Sequence, residues 1–184
     1  NDKKIAWYEN NGASNPTFTA HTITTSADAA NYVYAADVDG DGDIDVLSAS
    51  YNDDKIAWYE NDGSESFTAH TITTSADAAR FVYAADVDGD GDMDVLSASY
   101  NDNKIAWYEN DGASDPGFTA NTISNSVNGA TSVYAADIDG DGILDVISSS
   151  ATDDKVAWYE LTTGDSFAQT AAASCDGVAS NARI

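Results

Sequence analysis

A nine-residue run of aspartate and glycine does most to limit what this chain can fold into. It reads Asp37-Val38-Asp39-Gly40-Asp41-Gly42-Asp43-Ile44-Asp45 and returns at Asp86 to Asp94 and at Asp137 to Asp145. Aspartate holds the first, third, fifth and ninth places of every copy, and glycine the fourth and sixth. Carboxylates crowded this closely repel one another unless a cation sits among them. Glycines, lacking a Cβ, let the backbone curl at positive φ and turn several oxygens inward. Hard oxygen donors in a flexible loop suit calcium, which takes roughly six to eight oxygens at 2.3–2.6 Å. Magnesium demands a tighter octahedron and keeps more of its water, so it ranks second.

The seventh place separates ligands from bystanders. It is Asp43 and Asp92 in two copies and Ile143 in the third. A place that takes isoleucine is expected to offer its backbone carbonyl, with the Asp43 and Asp92 side chains turned outward. The expected side-chain ligands are Asp37, Asp39, Asp41 and Asp45 in the first loop. Their equivalents are Asp86, Asp88, Asp90 and Asp94 in the second, and Asp137, Asp139, Asp141 and Asp145 in the third. One calcium ion per loop gives three. An EF-hand starts in a similar way but needs a bidentate Glu at the twelfth place, between two helices. Here the twelfth residues are Ser48, Ser97 and Ser148. The flanks, such as Val33-Tyr34-Ala35-Ala36 and Val46-Leu47-Ser48-Ala49, read as strands. A solvated acidic turn without metal explains one such loop better than three with matching glycines.

Charge bounds the partners. The 184 residues carry 32 acids against 7 bases, a formal net charge of −25. Nucleic acid and anionic membrane surfaces select for Lys and Arg and are poor partners for such a chain. Apolar residues make up 42% and fall in patterned runs, so the chain reads as folded and cation-dependent, not disordered. Cys175 has no second cysteine to pair with, so it is either an unpaired thiol or a link to another chain or segment. No signal peptide and no long apolar run appears, so direct membrane insertion is not expected and any targeting segment lies outside these residues. Loops of this kind fit millimolar calcium, which points to an extracellular or cell-surface setting.

The loops belong to a longer repeat. Trp7, Trp58, Trp107 and Trp158 are spaced 51, 49 and 51 residues apart. The shortening falls between Glu60 and Phe67, as expected of a surface hairpin turn. A period near 50 suggests one propeller blade of four short strands. Within a blade the expected order is inner strand, acidic loop, second strand, Trp strand, and a polar outer strand such as Phe18 to Ile23. This gives an all-β propeller of four-stranded antiparallel blades. Residues 1–31 supply the last two strands of a preceding blade. Residues 32–80, 81–131 and 132–170 are blades with a loop each, and 171–184 form a tail or linker. Three and a half blades fall short of the four to eight of closed propellers. A part of a larger propeller, seven-bladed for instance, is favoured over an open stack capped by neighbouring subunits or domains.

With the blades laid out, Asp37 to Leu47 looks like an FG-GAP/VCBS repeat. Three copies, followed by strands such as Lys55-Ile56-Ala57-Trp58-Tyr59-Glu60-Asn61, resemble that family over about residues 1–165. The resemblance implies a β-propeller with calcium between the first two strands of a blade, as in integrin α subunits. It implies roles in secreted adhesion proteins, lectins and cell-surface or matrix proteins. The calcium positions carry over to the aspartates named above, with the seventh place supplying a carbonyl. The blade number departs from the family and puts ring closure in doubt.

Little in the sequence points to catalysis, and the chain is expected not to be an enzyme. His21 and His70 occupy matching outer-strand places where the third copy has Asn121, and they read as polar surface residues. No Ser sits in a Gly-x-Ser-x-Gly elbow. The recurring carboxylates are better explained by metal than by a glycosidase pair. The Trp series and the series Tyr8, Tyr59, Tyr108 and Tyr159 read as packing between blades, with sugar stacking the alternative. Lys4, Lys55, Lys104 and Lys155 are expected to offset acidic turns. Function therefore reads as a calcium-stiffened scaffold or adhesion module with protein or glycan partners. A lectin propeller is the alternative, and a non-catalytic part of a secreted enzyme comes third.

Overall fold

The computed structural model describes residues 3–162 and 166–174, and all of them are strand, turn or loop. Strands β1 (Ile5–Asn10) and β2 (Phe18–Thr24) pair alone. The first four-stranded sheet holds β3 (Ala30–Ala36), β4 (Asp45–Ser50), β5 (Lys55–Asn61) and β6 (Phe67–Thr73). The second holds β7 (Ala79–Ala85), β8 (Asp94–Ser99), β9 (Lys104–Asn110) and β10 (Phe118–Ser124). The third holds β11 (Ala130–Ala136), β12 (Asp145–Ser150), β13 (Lys155–Thr162) and β14 (Ser166–Ser174). Strands pair antiparallel in sequence order. The chain is thus all-β and propeller-like: three four-stranded blades and the outer half of another.

Two strand limits differ from those expected. The inner strands start at Ala30, Ala79 and Ala130, two residues before the blade starts drawn at 32, 81 and 132. A register shift after each of these residues lets it pair with Ser50, Ser99 or Ser150 on the second strand. At the other end β14 runs to Ser174, four residues past the limit at 170. Its last residues pair with Lys155 to Trp158. An outer strand needs only backbone partners, so a run of small residues can continue it. Cys175 and the rest of the tail lie outside the described residues.

The core lies in the seams between blades. Successive side chains on a strand point to opposite faces. In β5, Ile56 and Trp58 enter the seam shared with Val82, Val95 and Tyr108 of the following blade. Ala57 and Tyr59 enter the opposite seam, with Ile5 and Ala27. In β9, Ile105 and Trp107 meet Val133, Val146 and Tyr159 in turn. The two seams between four-stranded blades therefore each receive a Trp from one blade and a Tyr from the next.

This directionality corrects the reading of the whole Tyr series as core. Tyr59, Tyr108 and Tyr159 are 2–3% exposed, but Tyr8 is 60% exposed, because no inner strands precede β1 among the described residues. Val33 is 51% exposed for the same reason, whereas its equivalents Val82 and Val133 are fully buried. At the opposite end Val156 is 43% exposed where Ile56 and Ile105 are fully buried. The tyrosine hydroxyls meet Ser48, Ser97 and Ser148 at 3.4, 3.3 and 3.5 Å. The twelfth place of each repeat is thus a buried strand serine. Inner strands β3, β7 and β11 lie side by side, with ring contacts Tyr32–Phe81 at 3.9 Å, Tyr34–Tyr83 at 4.9 Å and Tyr83–Tyr134 at 4.5 Å.

Trp107 fills a closed seam, whereas Trp158 is half-buried on an end face. Trp107→Ala should therefore destabilise by about 3–5 kcal/mol in denaturant unfolding, and Trp158→Ala by clearly less.

Candidate metal centres

Each acidic loop joins the inner strand of a blade to its second strand, β3 to β4, β7 to β8 and β11 to β12. The first aspartate organises the turn. Asp37 accepts the Gly40 N–H on Oδ1 at 2.9 Å and the Gly42 N–H on Oδ2 at 3.0 Å. Asp86 holds Gly89 and Gly91 in the same way, and Asp137 holds Gly140 and Gly142. Asp39 accepts from the Asp41 N–H at 3.2 Å, and Asp41 from the Asp43 N–H at 2.8 Å. Gly40 and Gly42 sit at φ +75 and +97, and a Cβ at either would meet nothing within 4 Å. Glycine is required there for the backbone conformation, not for space.

These bonds bring carboxylates together. One oxygen from each of Asp37, Asp39 and Asp41 lies within 4.8 Å of the others. The same holds for Asp86, Asp88 and Asp90, and in the third loop for Asp137, Asp139 and Asp145. A carboxylate offers about four lone-pair sites, so these oxygens keep capacity for a cation after accepting an N–H. The seventh place lies apart: a Cβ on Gly63 would collide with the Asp43 carboxylate, and one on Gly112 with that of Asp92. Both side chains thus rest against the next hairpin turn. Ile143 at the third seventh place is 47% exposed.

The ninth aspartate is the buried member. Asp45 accepts the Val38 N–H at 3.0 Å and the Asn61 N–H at 2.8 Å. Asp94 accepts from Val87 at 3.0 Å and Asn110 at 2.8 Å, and Asp145 from Ile138 at 2.9 Å. In the first two loops it ties the loop's start to the end of the Trp strand. Burial pushes Asp45 above the usual carboxylate range despite these donors, and pushes Asp94 up to about 6. Burial also raises Asp39 and Asp88, and neighbouring carboxylates add to the rise. A bound cation would relieve both penalties.

Two asparagines that the sequence does not single out also hold the loops. Asn61 Nδ2 donates to the Ile44 carbonyl at 3.1 Å. Asn110 Nδ2 donates to the Met93 carbonyl of its own loop and to the Val38 carbonyl of the loop before, each at 3.0 Å. The only hint in sequence was an Asn after each Trp-Tyr-Glu, at 10, 61 and 110, replaced by Leu161 in the last copy. Clefts of about 210 and 220 Å³ separate neighbouring loops, the first lined by Asp37, Val38, Gly40, Gly91, Asp92 and Met93.

The histidines stand away from the loops. His21 stacks on Trp7 at 4.3 Å and meets Glu9 at 3.1 Å. His70 stacks on Trp58 at 4.4 Å and meets Glu60 at 2.8 Å, so both are packed more closely than plain surface residues. Lys55, Lys104 and Lys155 pair with Asp53, Asp102 and Asp153 in the preceding turns, and Lys3 pairs with Asp28.

Comparison with curated proteins gives no match. Among solved structures, the chain is similar to an Agrocybe aegerita lectin described as recognising non-reducing terminal N-acetylglucosamine. The TM-score is 0.60 at 18% identity, over 91% of this chain and 46% of the lectin. A protein from Lactobacillus plantarum is similar with a TM-score of 0.54 at 18% identity, over 93% of this chain and 52% of that one. At such identity the likeness is one of fold, and the chain spans about half the length of each. The FG-GAP-like repeat model matches residues 1–48, 37–97 and 86–148. Those segments cover most of the sequence, and the chain belongs to the FG-GAP-like repeat family.

Proposed function

We propose that each acidic loop holds one calcium ion and that the chain is a cation-stiffened propeller module of an extracellular or cell-surface assembly. The observation that carries this reading is the convergence of carboxylate oxygens within 4.8 Å at the same place in three successive blades. The donors fit a hard divalent cation: acidic oxygens and a buried carboxylate whose charge burial disfavours, to which the family resemblance would add the seventh-place carbonyl. Asp37, Asp39, Asp41 and Asp45 would hold the first ion, and their equivalents the other two. Bound ions would neutralise the loops and fix the hairpins that present the blade ends to partners. The extracellular setting follows from the calcium that such loops need. Among the described residues no helix is long and apolar enough to cross a membrane. We read the module as non-catalytic, since His21 and His70 are engaged with Trp and Glu partners.

Glycan binding is the second reading, favoured by the likeness to a lectin and by the clefts between loops. It cannot use Trp58 or Trp107, which are buried in the seams. A glycan array run with calcium and with chelator tests it: calcium-dependent binding of one glycan class supports it, and none in either condition removes it.

The calcium reading makes three measurable demands. Calorimetric titration should find three ions, and Asp39→Ala should reduce the number to two. Calcium at 100 times its dissociation constant should add about 2.7 kcal/mol per site, so chelation should lower the melting temperature. An unchanged melting temperature would refute a structural role for the ion. The third demand concerns pH. Without cation, the Asp94 pKa of about 6 in the folded chain lies above its ordinary value. The folded state then binds the proton more tightly than the unfolded state, so protonation stabilises. The cation-free protein should gain stability as pH falls from 7 toward 5 and lose it as pH rises through 6. The calcium-loaded protein should show no such gain, because protons and calcium compete for the same oxygens. Melting curves at pH 5, 6 and 7, with calcium and after its removal, check both signs.

A further inference from the structure

Asn110 stands where the first and second loops meet, and it is 3% exposed. Its side-chain Nδ2 donates to the Val38 carbonyl in one loop and to the Met93 carbonyl in the other, both at 3.0 Å. Its Oδ1 accepts the Gly112 N–H at 3.0 Å, and its backbone N–H donates to Asp94 Oδ1 at 2.8 Å. Every polar group of this side chain is therefore engaged, in a buried place where a lost partner is not replaced by water.

The two carbonyls are not incidental. Val38 lies between Asp37 and Asp39, and Met93 directly precedes Asp94. Val38 is itself pinned three ways: its side chain in the seam with Trp58 and Tyr108, its N–H on Asp45, and its carbonyl on Asn110. One planar amide thus bridges a peptide inside the first acidic cluster and a peptide beside the second. The arrangement is not general to the repeat. Asn61 makes the matching bond to Ile44 in its own loop, but no acidic loop precedes that one among the described residues. The place matching Asn110 in β13 is Leu161, which has no donor to offer.

Resting on the reading that each loop holds a cation, we propose that Asn110 is a positioning residue that couples ion binding at the first loop to ion binding at the second, while the third loop binds independently. A cation that draws Asp37 and Asp39 together fixes the direction of the Val38 carbonyl. The Asn110 amide follows, and with it the Met93 carbonyl and the Asp94 carboxylate. The second loop is then partly ordered before its own ion arrives, which gives positive coupling, and linkage requires the effect to run equally in both directions.

The test is calorimetric calcium titration of the full chain in four forms: unsubstituted, Asp41→Ala, Asn110→Leu, and both together. Leucine is chosen because it matches asparagine in size but offers no donor, and calcium binding retained at the third loop shows that the variant is folded. Asp41→Ala should remove the first ion and weaken the second by about five-fold or more, leaving the third unchanged. In the Asn110→Leu background the same substitution should leave the second ion's affinity unchanged. A second ion that is indifferent to Asp41→Ala, or coupling that survives Asn110→Leu, overturns the proposal while leaving cation binding intact. Absence of any bound calcium overturns both. Amide exchange gives a readout without metal: Asn110→Leu should speed exchange at Gly40 and Gly42 in the cation-free chain but not at Gly140 and Gly142. Rates at Gly40 and Gly42 unchanged from the unsubstituted chain would also overturn the bridge.

Discussion

The alternation of side chains along one strand governs this structure. In the strand that carries Trp-Tyr, neighbouring residues face opposite ways, so each blade sends its Trp forward and its Tyr back. Neither ring is buried by its own sheet. A blade completes the core of its neighbour, and the neighbour completes it, so stability resides in the seams. The small residues around them, Ala57, Ala84, Ala98 and Ala106, let sheets approach closely enough to bury rings of that size.

The acidic loops depend on this packing. Val38 and Val87 plug the seams, and their backbone N–H groups meet the buried Asp45 and Asp94. The loop is therefore anchored to the core at its second and ninth residues, and the residues between are free to curl. Hydrogen bonds from backbone N–H groups of the loop then aim the carboxylates at one another, an arrangement that like charges would not adopt unaided. The geometry stores repulsion in a place where a divalent ion would release it.

Much of this was legible in the residues. The period, the strand order, the hairpin turns and the convergence of aspartates all follow from local pattern, because each depends on residues close in sequence. What pattern did not reveal were properties set by a neighbouring blade. Tyr8 has the same surroundings in sequence as Tyr59, yet one is exposed and the other buried, because only Tyr59 has a neighbouring pair of strands, β1 and β2, packed against its face. Asn61 and Asn110 sit in identical Trp-Tyr-Glu-Asn strings, yet only Asn110 reaches the preceding loop. The ninth aspartate was legible as a place fixed in every copy but not as a brace between the loop and the Trp strand, since its partners lie 7 and 16 residues away.

The two end faces of the stack are unlike. One presents Tyr8 and Val33, the half of a seam that meets a preceding blade, and the other presents Val156 and Trp158, the half that meets a following one. The stack therefore has a polarity, like a row of tongue-and-groove boards. Each seam joins the forward face of one blade to the backward face of the next, so successive blades share one orientation and the repeat is head-to-tail by construction.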